Sequence, residues 1–198
     1  MSFFRGVLIT GVLAFAGNAA ADFSDIPAGE YSLDKNHGYI TFSYSHQGFS
    51  NPHVGFDSFD VRLNLDSAKV ENSSVAVVID ATSVESRVKV FNGHLQGKDF
   101  FDTANHPSIT FNSTSFKSTG EDTYDVAGEL TIKGTTQSVT LQVTVNNAAI
   151  HPIGKIPGVG IDATTKVSRS AFGMSRGTPG VGDEVTLYVS TELLHKAP

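Results

Sequence analysis

Strict alternation of apolar and polar residues constrains the fold of this chain more than any other feature. Residues 138–145 ("SVTLQVTV") place valine or leucine at every second position, with serine, threonine and glutamine between them. Residues 59–65 ("FDVRLNL") and 184–191 ("EVTLYVST") repeat this pattern. A period of two residues is typical of β-strands that bury one face and expose the other.

The number and spacing of these runs predict the architecture. We count about eight strands, separated by turn sequences such as "STGEDT", "IKGTT" and "TPGVGD", which favour antiparallel connections. A barrel or a sandwich would satisfy this pattern, and a closed barrel removes exposed strand edges. We therefore predict an all-β fold, an eight-stranded antiparallel lipocalin-like barrel. Its interior is either filled by side chains or wide enough for one small ligand.

One segment, residues 84–99, has helical instead of strand periodicity. Val88, Phe91 and Leu95 recur at positions i, i+3 and i+7, a narrow apolar stripe on a short amphipathic helix. We expect this helix to lie outside the strands and to cover one end or flank of the barrel. The phenylalanines at 100–101 should fill the space beneath it.

The first 21 residues have the pattern of a signal peptide. Arg5 precedes an apolar run at residues 7–16, and small residues end the segment in an Ala-x-Ala cleavage site at Ala19 and Ala21. The apolar run is shorter than the roughly 20 residues that cross a bilayer. We predict that residues 1–21 are cleaved, that residues 22–198 form a single domain, and that this domain is periplasmic.

Composition excludes several classes of protein. The chain has 198 residues and no cysteine, which excludes disulfides and thiolate metal sites. A formal net charge of −6 argues against nucleic-acid binding, which requires a basic surface. No second apolar run is long enough to span a membrane, so we expect no transmembrane segment in the mature chain.

The seven histidines do not form a recognisable metal motif, since HExxH and HxH spacings are absent from the sequence. His46 and His53 could flank one loop, and His94 could share a helix end with Asp99. Hydrogen-bonded or solvent-facing histidines are the more common arrangement. We predict no metal site and no cofactor.

Residues 173–177 ("GMSRG") match the Gly-x-Ser-x-Gly pattern of serine hydrolases. Ser175, Asp183 and His195 follow one another in the order that these enzymes use. The pattern has meaning only between a strand and a helix, and "TPG" at residues 178–180 opposes a helix there. We predict no catalytic residues and retain a serine hydrolase as the alternative function.

Several longer segments, in order, resemble one known family. They are "YSLDKNHGYITFSYSHQGFS", "GFDSFDVRL", "VVIDATSVESRVKVFNGHLQGKDFFDTANHPSITFNST", "YDVAGELTIKGTTQSVTLQV" and "KVSRSAFGM" with "VGDEVTLYVSTEL". The sequence resembles the YceI-like family of exported, lipocalin-like polyisoprenoid-binding proteins over nearly all of the mature chain. The resemblance implies a barrel whose pore holds a long isoprenoid lipid, and some members of the family are dimeric.

The function predicted from the residues and the resemblance is binding of an isoprenoid or similar amphiphilic lipid, for transport, storage or sensing. A homodimer is a possible assembly. A barrel filled by its own side chains, acting as a structural or stress-response module, is a further alternative. We expect the inward-facing residues of the strands to line the pore and bind the lipid. They are Phe42, Tyr44, Phe59, Val61, Leu63, Val77, Ile79, Phe111, Leu130, Leu141, Val143 and Leu187.

Overall fold

The computed structural model describes residues 23–196, and the predicted signal peptide lies outside this range. It contains ten strands and, within these residues, one α-helix, α1, Lys89–Gln96. The strands are β1 Gly29–His46, β2 His53–Phe56, β3 Phe59–Leu65, β4 Ser74–Asp80, β5 Val84–Glu85, β6 Ser108–Gly120, β7 Thr123–Ile132, β8 Thr135–Ile150, β9 Pro157–Ser168 and β10 Val181–His195.

The strands form one closed antiparallel barrel. Neighbouring strands pair in the order β10-β9-β8-β7-β6-β4-β3-β1-β2-β5, and β10 pairs with β1 to close the sheet. β2 and β3 are successive parts of one barrel strand, since both pair with β1, and β5 continues β4 in the same way beside β2. The predicted eight-stranded barrel is therefore confirmed.

A tight turn joins β7 to β8, where the sequence predicts one. Lys133 has a φ of 50° and Gly134 a φ of 72°. Two consecutive residues with positive φ form the type I′ loop whose twist matches the twist of the flanking strands. The register of this hairpin pairs Ile132 with Thr135.

The helix is shorter than the predicted segment 84–99, and this prediction was wrong at both ends. Val84 and Glu85 pair with β2 instead of joining the helix, and Arg87 has a φ of 65°, which interrupts helical geometry. The Asn92 side chain folds back to accept a hydrogen bond from the Ser86 backbone N–H at 2.8 Å. Gly97, in extended conformation, ends α1.

Apolar side chains inside the barrel form two clusters, one in each half of its length. The cluster in the half nearer α1, here called the cavity half, includes Phe42, Phe111 and Phe172. The cluster in the other half, here called the filled half, includes Tyr31, Val61 and Leu193. A layer of partly buried side chains packs against both clusters and separates the two halves. Its members are Phe59, Val75, Val77, Phe116 and Tyr124.

Tyr31 is the most completely buried large residue of the filled half, with 0% relative exposure. Its hydroxyl donates a 2.7 Å hydrogen bond to the Pro27 carbonyl oxygen, so burial leaves no polar atom unpaired. Burial raises the pKa of Tyr31 to about 12. Phe23 and Ile26 pack against the same cluster and cover the filled half at its end.

Gly128 lets β7 lie close to Phe111, a member of the aromatic core of the cavity half. A Cβ atom at this position would lie 2.4 Å from Cζ of Phe111 and 2.5 Å from the Asn112 carbonyl oxygen. Both distances are shorter than real Cβ contacts, and the second partner is backbone that cannot rotate away. Gly128 therefore provides the space that the Phe111 ring occupies.

Replacing this glycine tests the packing directly. We expect Gly128→Ala to lower the free energy of unfolding by about 1–3 kcal/mol, because the added methyl group overpacks the core. Gly93→Ala is the matched control, since a Cβ there meets nothing within 4 Å. In α1, that change should be neutral or add up to about 1 kcal/mol. Chemical denaturation of both variants measures the difference, and equal stabilities would contradict the proposed close approach.

Candidate functional site

The cavity half encloses an apolar cavity of about 530 Å³. Ligand pockets in proteins commonly have volumes of roughly 300–1,000 Å³ and mostly apolar walls. The walls carry seven phenylalanines, and the only cationic side chain among them is that of Arg169. The part of β1 along the wall, from Ile40 to His46, spans roughly 20 Å at about 3.3 Å per residue. The cavity can therefore enclose an elongated apolar group.

Eight of the twelve residues predicted to line the pore lie on the cavity wall, and none of the twelve is exposed. That they bind a lipid stays a prediction. The eight are Phe42, Tyr44, Val77, Ile79, Phe111, Leu130, Leu141 and Leu187.

The other four, Phe59, Val61, Leu63 and Val143, are not part of this wall, and their contact with a lipid also stays a prediction. Val61 and Leu63 face inward, as predicted, but they pack within the filled half. Phe59 lies in the layer between the halves. Its ring is so close to Gly38 that a Cβ atom added to this glycine would lie 3.1 Å from Cζ of Phe59. Val143 packs against the core of the cavity half without reaching the cavity.

Sequence reasoning missed much of the wall because it lies outside the clearest strand patterns. Phe101, which follows α1, packs edge-on against Phe42 and Phe56, with ring centroids 5.9 and 5.6 Å apart. Phe172 and Met174 reach the wall from the loop region before β10. The phenylalanines at 100–101 were expected to fill space beneath the helix, and both border the cavity.

The cavity opens between the β1–β2 connection and the residues before α1. The wall residues that are exposed to solvent are His46, Ser50 and His53 on one side and Val88 on the other. Gly55 of β2 pairs with Glu85 of β5, so the chain beyond Glu85 runs beside residues 52–54. These two segments together form the mouth of the cavity.

Arg169 is a buried cation beside the cavity, with 7% relative exposure. Its Nε donates to the Gly182 carbonyl oxygen and its Nη2 to the Val181 carbonyl oxygen, both at 2.9 Å. Its Nη1 donates to the Met174 carbonyl oxygen. Among residues 23–196, no carboxylate oxygen is within ion-pair distance of this guanidinium. The side chain therefore ties the segment before β10 to the barrel.

Tyr44 is a second polar group of the wall. Burial raises the pKa of its phenol, although the positive charge of Arg169 acts in the opposite direction. No side chain or backbone group of the described residues hydrogen-bonds its hydroxyl. Because a guanidinium carries five N–H donors, Arg169 also retains donors beyond the three bonds above. Tyr44 and Arg169 together offer polar contacts in a mostly apolar wall.

The serine hydrolase arrangement that the sequence left open does not form. Ser175 is exposed, and the Asp183 carboxylate instead accepts hydrogen bonds from the Ser170 N–H at 2.9 Å and hydroxyl at 2.7 Å. These bonds lower the pKa of Asp183, the hydroxyl contributing more than the backbone N–H. His195 is twelve residues further along β10, roughly 40 Å away at about 3.3 Å per residue. These three residues cannot act as a catalytic triad.

A group of ligand-type side chains on the outer surface involves histidines that sequence reasoning did not select. His37 Nδ1 lies 2.8 Å from Asp34 Oδ2 and 3.9 Å from Glu192 Oε2. His151 Nε2 lies 3.4 Å from the same Glu192 oxygen. The pKa of Asp34 is lowered mainly by a hydrogen bond from the Asn36 backbone N–H and, to a smaller extent, by the bond from His37. The same bond between Asp34 and His37 raises the pKa of His37. β10 brings Glu192 to this surface from far along the chain.

A model of the YceI-like domain matches residues 31–193 of the chain. A UPF0312 protein of Azotobacter vinelandii is 33% identical over 178 residues, which cover 89% of this chain and 92% of that protein. A UPF0312 protein of Pseudomonas putida is 35% identical with the same coverage. The chain belongs to the YceI-like family.

Solved structures agree with this family fold. BcnA of Burkholderia cenocepacia superimposes with a TM-score of 0.74 at 29% identity, covering 81% of this YceI-like chain and 98% of BcnA. A polyisoprenoid-binding domain from Saccharophagus degradans, implicated in plant cell wall breakdown, superimposes with a TM-score of 0.66. That domain is 17% identical and covers 84% of this chain, so the likeness concerns the fold. Within residues 23–196, no helix of this YceI-like protein is long and apolar enough to cross a membrane.

The role of Arg169 as a tether can be measured. We expect Arg169→Met, which keeps the length of the side chain, to lower the free energy of unfolding by at least about 2 kcal/mol. The change leaves three carbonyl oxygens without their donor. Arg176→Met is the control, because Arg176 forms an exposed ion pair with Asp99, worth about 0–1 kcal/mol. Equal unfolding midpoints for the two variants would contradict the role of Arg169.

Proposed function

We propose that the protein binds the apolar part of one long-chain lipid, of isoprenoid or similar amphiphilic type, inside the cavity half. The observation that carries the proposal is the apolar cavity of about 530 Å³ with a mouth at one end of the barrel. The polyisoprenoid-binding domain of Saccharophagus degradans, which has the same fold, supports it. We further propose that the exported protein transports, stores or senses this lipid.

The filled half limits how much of a lipid the barrel can enclose. If about 20 methylene-sized groups enter the cavity, their burial contributes roughly 16 kcal/mol at about 0.8 kcal/mol per group. Association and ordering of the chain cost about 4–15 kcal/mol. The difference supports retention without requiring the whole of a long isoprenoid to be buried. The rest of the molecule, including its polar end, would then extend towards the mouth.

Tyr44 and Arg169 offer polar contacts for such a ligand on the inner wall. Tyr44 has a hydroxyl without a protein partner among the described residues, and Arg169 has spare N–H donors beside it. A cation in an apolar wall favours a ligand that carries a hydroxyl, carbonyl or anionic group. We place the polar part of the bound lipid near these two residues.

Binding, and not catalysis, is the proposed activity. The separation of Ser175, Asp183 and His195 removes the serine hydrolase arrangement that the sequence offered. The alternative of a barrel filled by side chains describes the filled half and does not describe the cavity half. A homodimer stays part of the proposal, and analytical ultracentrifugation of the mature protein tests it.

Lipid extraction tests the proposed function. We expect organic extracts of the purified protein, analysed by mass spectrometry, to contain a long-chain lipid. Leu141→Asp should lower the bound lipid per protein at least about tenfold, because a carboxylate in the apolar wall must be desolvated or neutralised. Val139→Phe, which adds volume and no charge at a neighbouring wall position, should also displace lipid.

Ser175→Ala is the control for these variants, since Ser175 is exposed in the loop before β10. It should retain the lipid content of the unaltered protein, with a stability change within about 0.5 kcal/mol. Loss of lipid in Ser175→Ala, together with retention in both wall variants, would move the site from the cavity to the loop.

Export is tested by the mature N-terminus. We propose cleavage after Ala21, so intact-mass measurement of the exported protein should give a chain that begins at Asp22. Ala21→Asp should block processing and leave the precursor, because the cleavage site requires small residues at its first and third positions. Ala20→Ser changes the tolerant middle position and should be processed normally. Recovery of an uncleaved exported chain would contradict the proposal.

A further inference from the structure

The two segments that form the mouth of the cavity carry exposed apolar side chains. Phe49, in the β1–β2 connection, is 90% exposed, and the next residue, Ser50, borders the cavity. Val90, on the first turn of α1, is 71% exposed, and the next residue, Phe91, borders the cavity. Val88 is 56% exposed and itself borders the cavity. Exposed apolar groups gathered at one place usually mark a surface of interaction.

The charge of the same two segments is opposite to that of the whole chain. Residues 46–53 and 86–98 contain Arg87, Lys89 and Lys98 and no aspartate or glutamate. The chain as a whole has 14 lysines and arginines against 20 aspartates and glutamates. The carboxylates at the ends of the second segment have partners: Glu85 accepts a 2.9 Å bond from the Asn92 amide, and Asp99 pairs with Arg176. We call residues 46–53 and 86–98 together the rim.

We propose that the rim docks on a bilayer that contains anionic phospholipid, with Phe49 and Val90 inserted among the lipids and Arg87 and Lys89 at the phosphates. Apolar groups at a membrane interface, combined with cations that attract anionic headgroups, give this mode of attachment. The inference rests on the proposed function in one respect: a lipid would pass between bilayer and cavity through the docked mouth without crossing water.

Other exposed apolar residues lie at the opposite end of the barrel and provide the comparison. Ile153, in the connection between β8 and β9, is 87% exposed. β8 reaches this connection from the filled half, where Val145 and Ala148 are buried, and none of the cavity wall belongs to residues 145–156. If Ile153 contacted a membrane, the mouth of the cavity would face away from that membrane. Ile153 therefore serves as a control and not as a second docking site.

Vesicle sedimentation tests the proposal with the purified protein. One set of vesicles is phosphatidylcholine alone, and the other is phosphatidylcholine mixed with phosphatidylglycerol. We expect binding to the mixed vesicles, weaker binding at high salt, and little binding to phosphatidylcholine. Phe49→Ser and Lys89→Glu should each lower the partition coefficient by about fivefold to tenfold.

The matched controls are Ile153→Ser for the apolar change and Lys117→Glu for the change of charge. Lys117 is exposed on β6, which runs from the cavity half to the filled half. Both controls should bind like the unaltered protein. Absence of binding to mixed vesicles, or equal losses in the rim and control variants, would overturn the proposal.

Lipid extraction of the same protein preparations, before vesicles are added, separates this inference from the proposed function. Extracts that contain a cavity lipid, from a protein that does not bind vesicles, would reject docking and leave lipid binding intact. Vesicle binding by a protein whose extracts contain no lipid would reject the proposed function and leave docking intact. Because Phe49 and Lys89 are exposed, circular dichroism of these variants should match that of the unaltered protein.

Discussion

The ladder between β1 and β10 is the contact on which the rest of the structure depends. It runs from Tyr31 opposite His195 to His46 opposite Val181 and joins the first barrel strand to the last. Without it, two long edges would be exposed, and the inward faces of the strands would have no enclosed interior to face. The ladder spans both halves of the barrel, so one set of backbone bonds supports the filled half and the walls of the cavity together.

The two halves differ although the strands that form them alternate in the same way. In the filled half, Tyr31, Leu193 and Val61, on the neighbouring strands β1, β10 and β3, belong to one buried cluster. In the cavity half, the loop before β10 and α1 surround the interior without crossing it. Arg169 holds that loop, and Lys133 Nζ donates to the carbonyl oxygens of Lys98, after α1, and Gly173, in the loop. Backbone carbonyls bound by cations thus keep the cavity end in shape.

The sequence was sufficient for the barrel and for the direction in which side chains point, but not for their position along the barrel axis. Alternation of Val61 and Leu63 assigns them to the inner face and contains no information on which half they occupy. The limits of α1 were mispredicted because pairing with β2 removes Val84 from the helical stretch. Contacts such as His37 with Glu192 depend on strands distant in sequence, and no local pattern predicts them.

A cavity of this size is itself an energetic argument for a ligand. In an enclosed protein core, each Å³ of empty space lowers the free energy of unfolding by about 24 cal/mol. Larger residues at positions such as Val139 or Val77 would recover part of that energy. A barrel that fills one half with side chains and leaves a cavity in the other gives up stability in the cavity half, and binding of an apolar chain there would restore part of it.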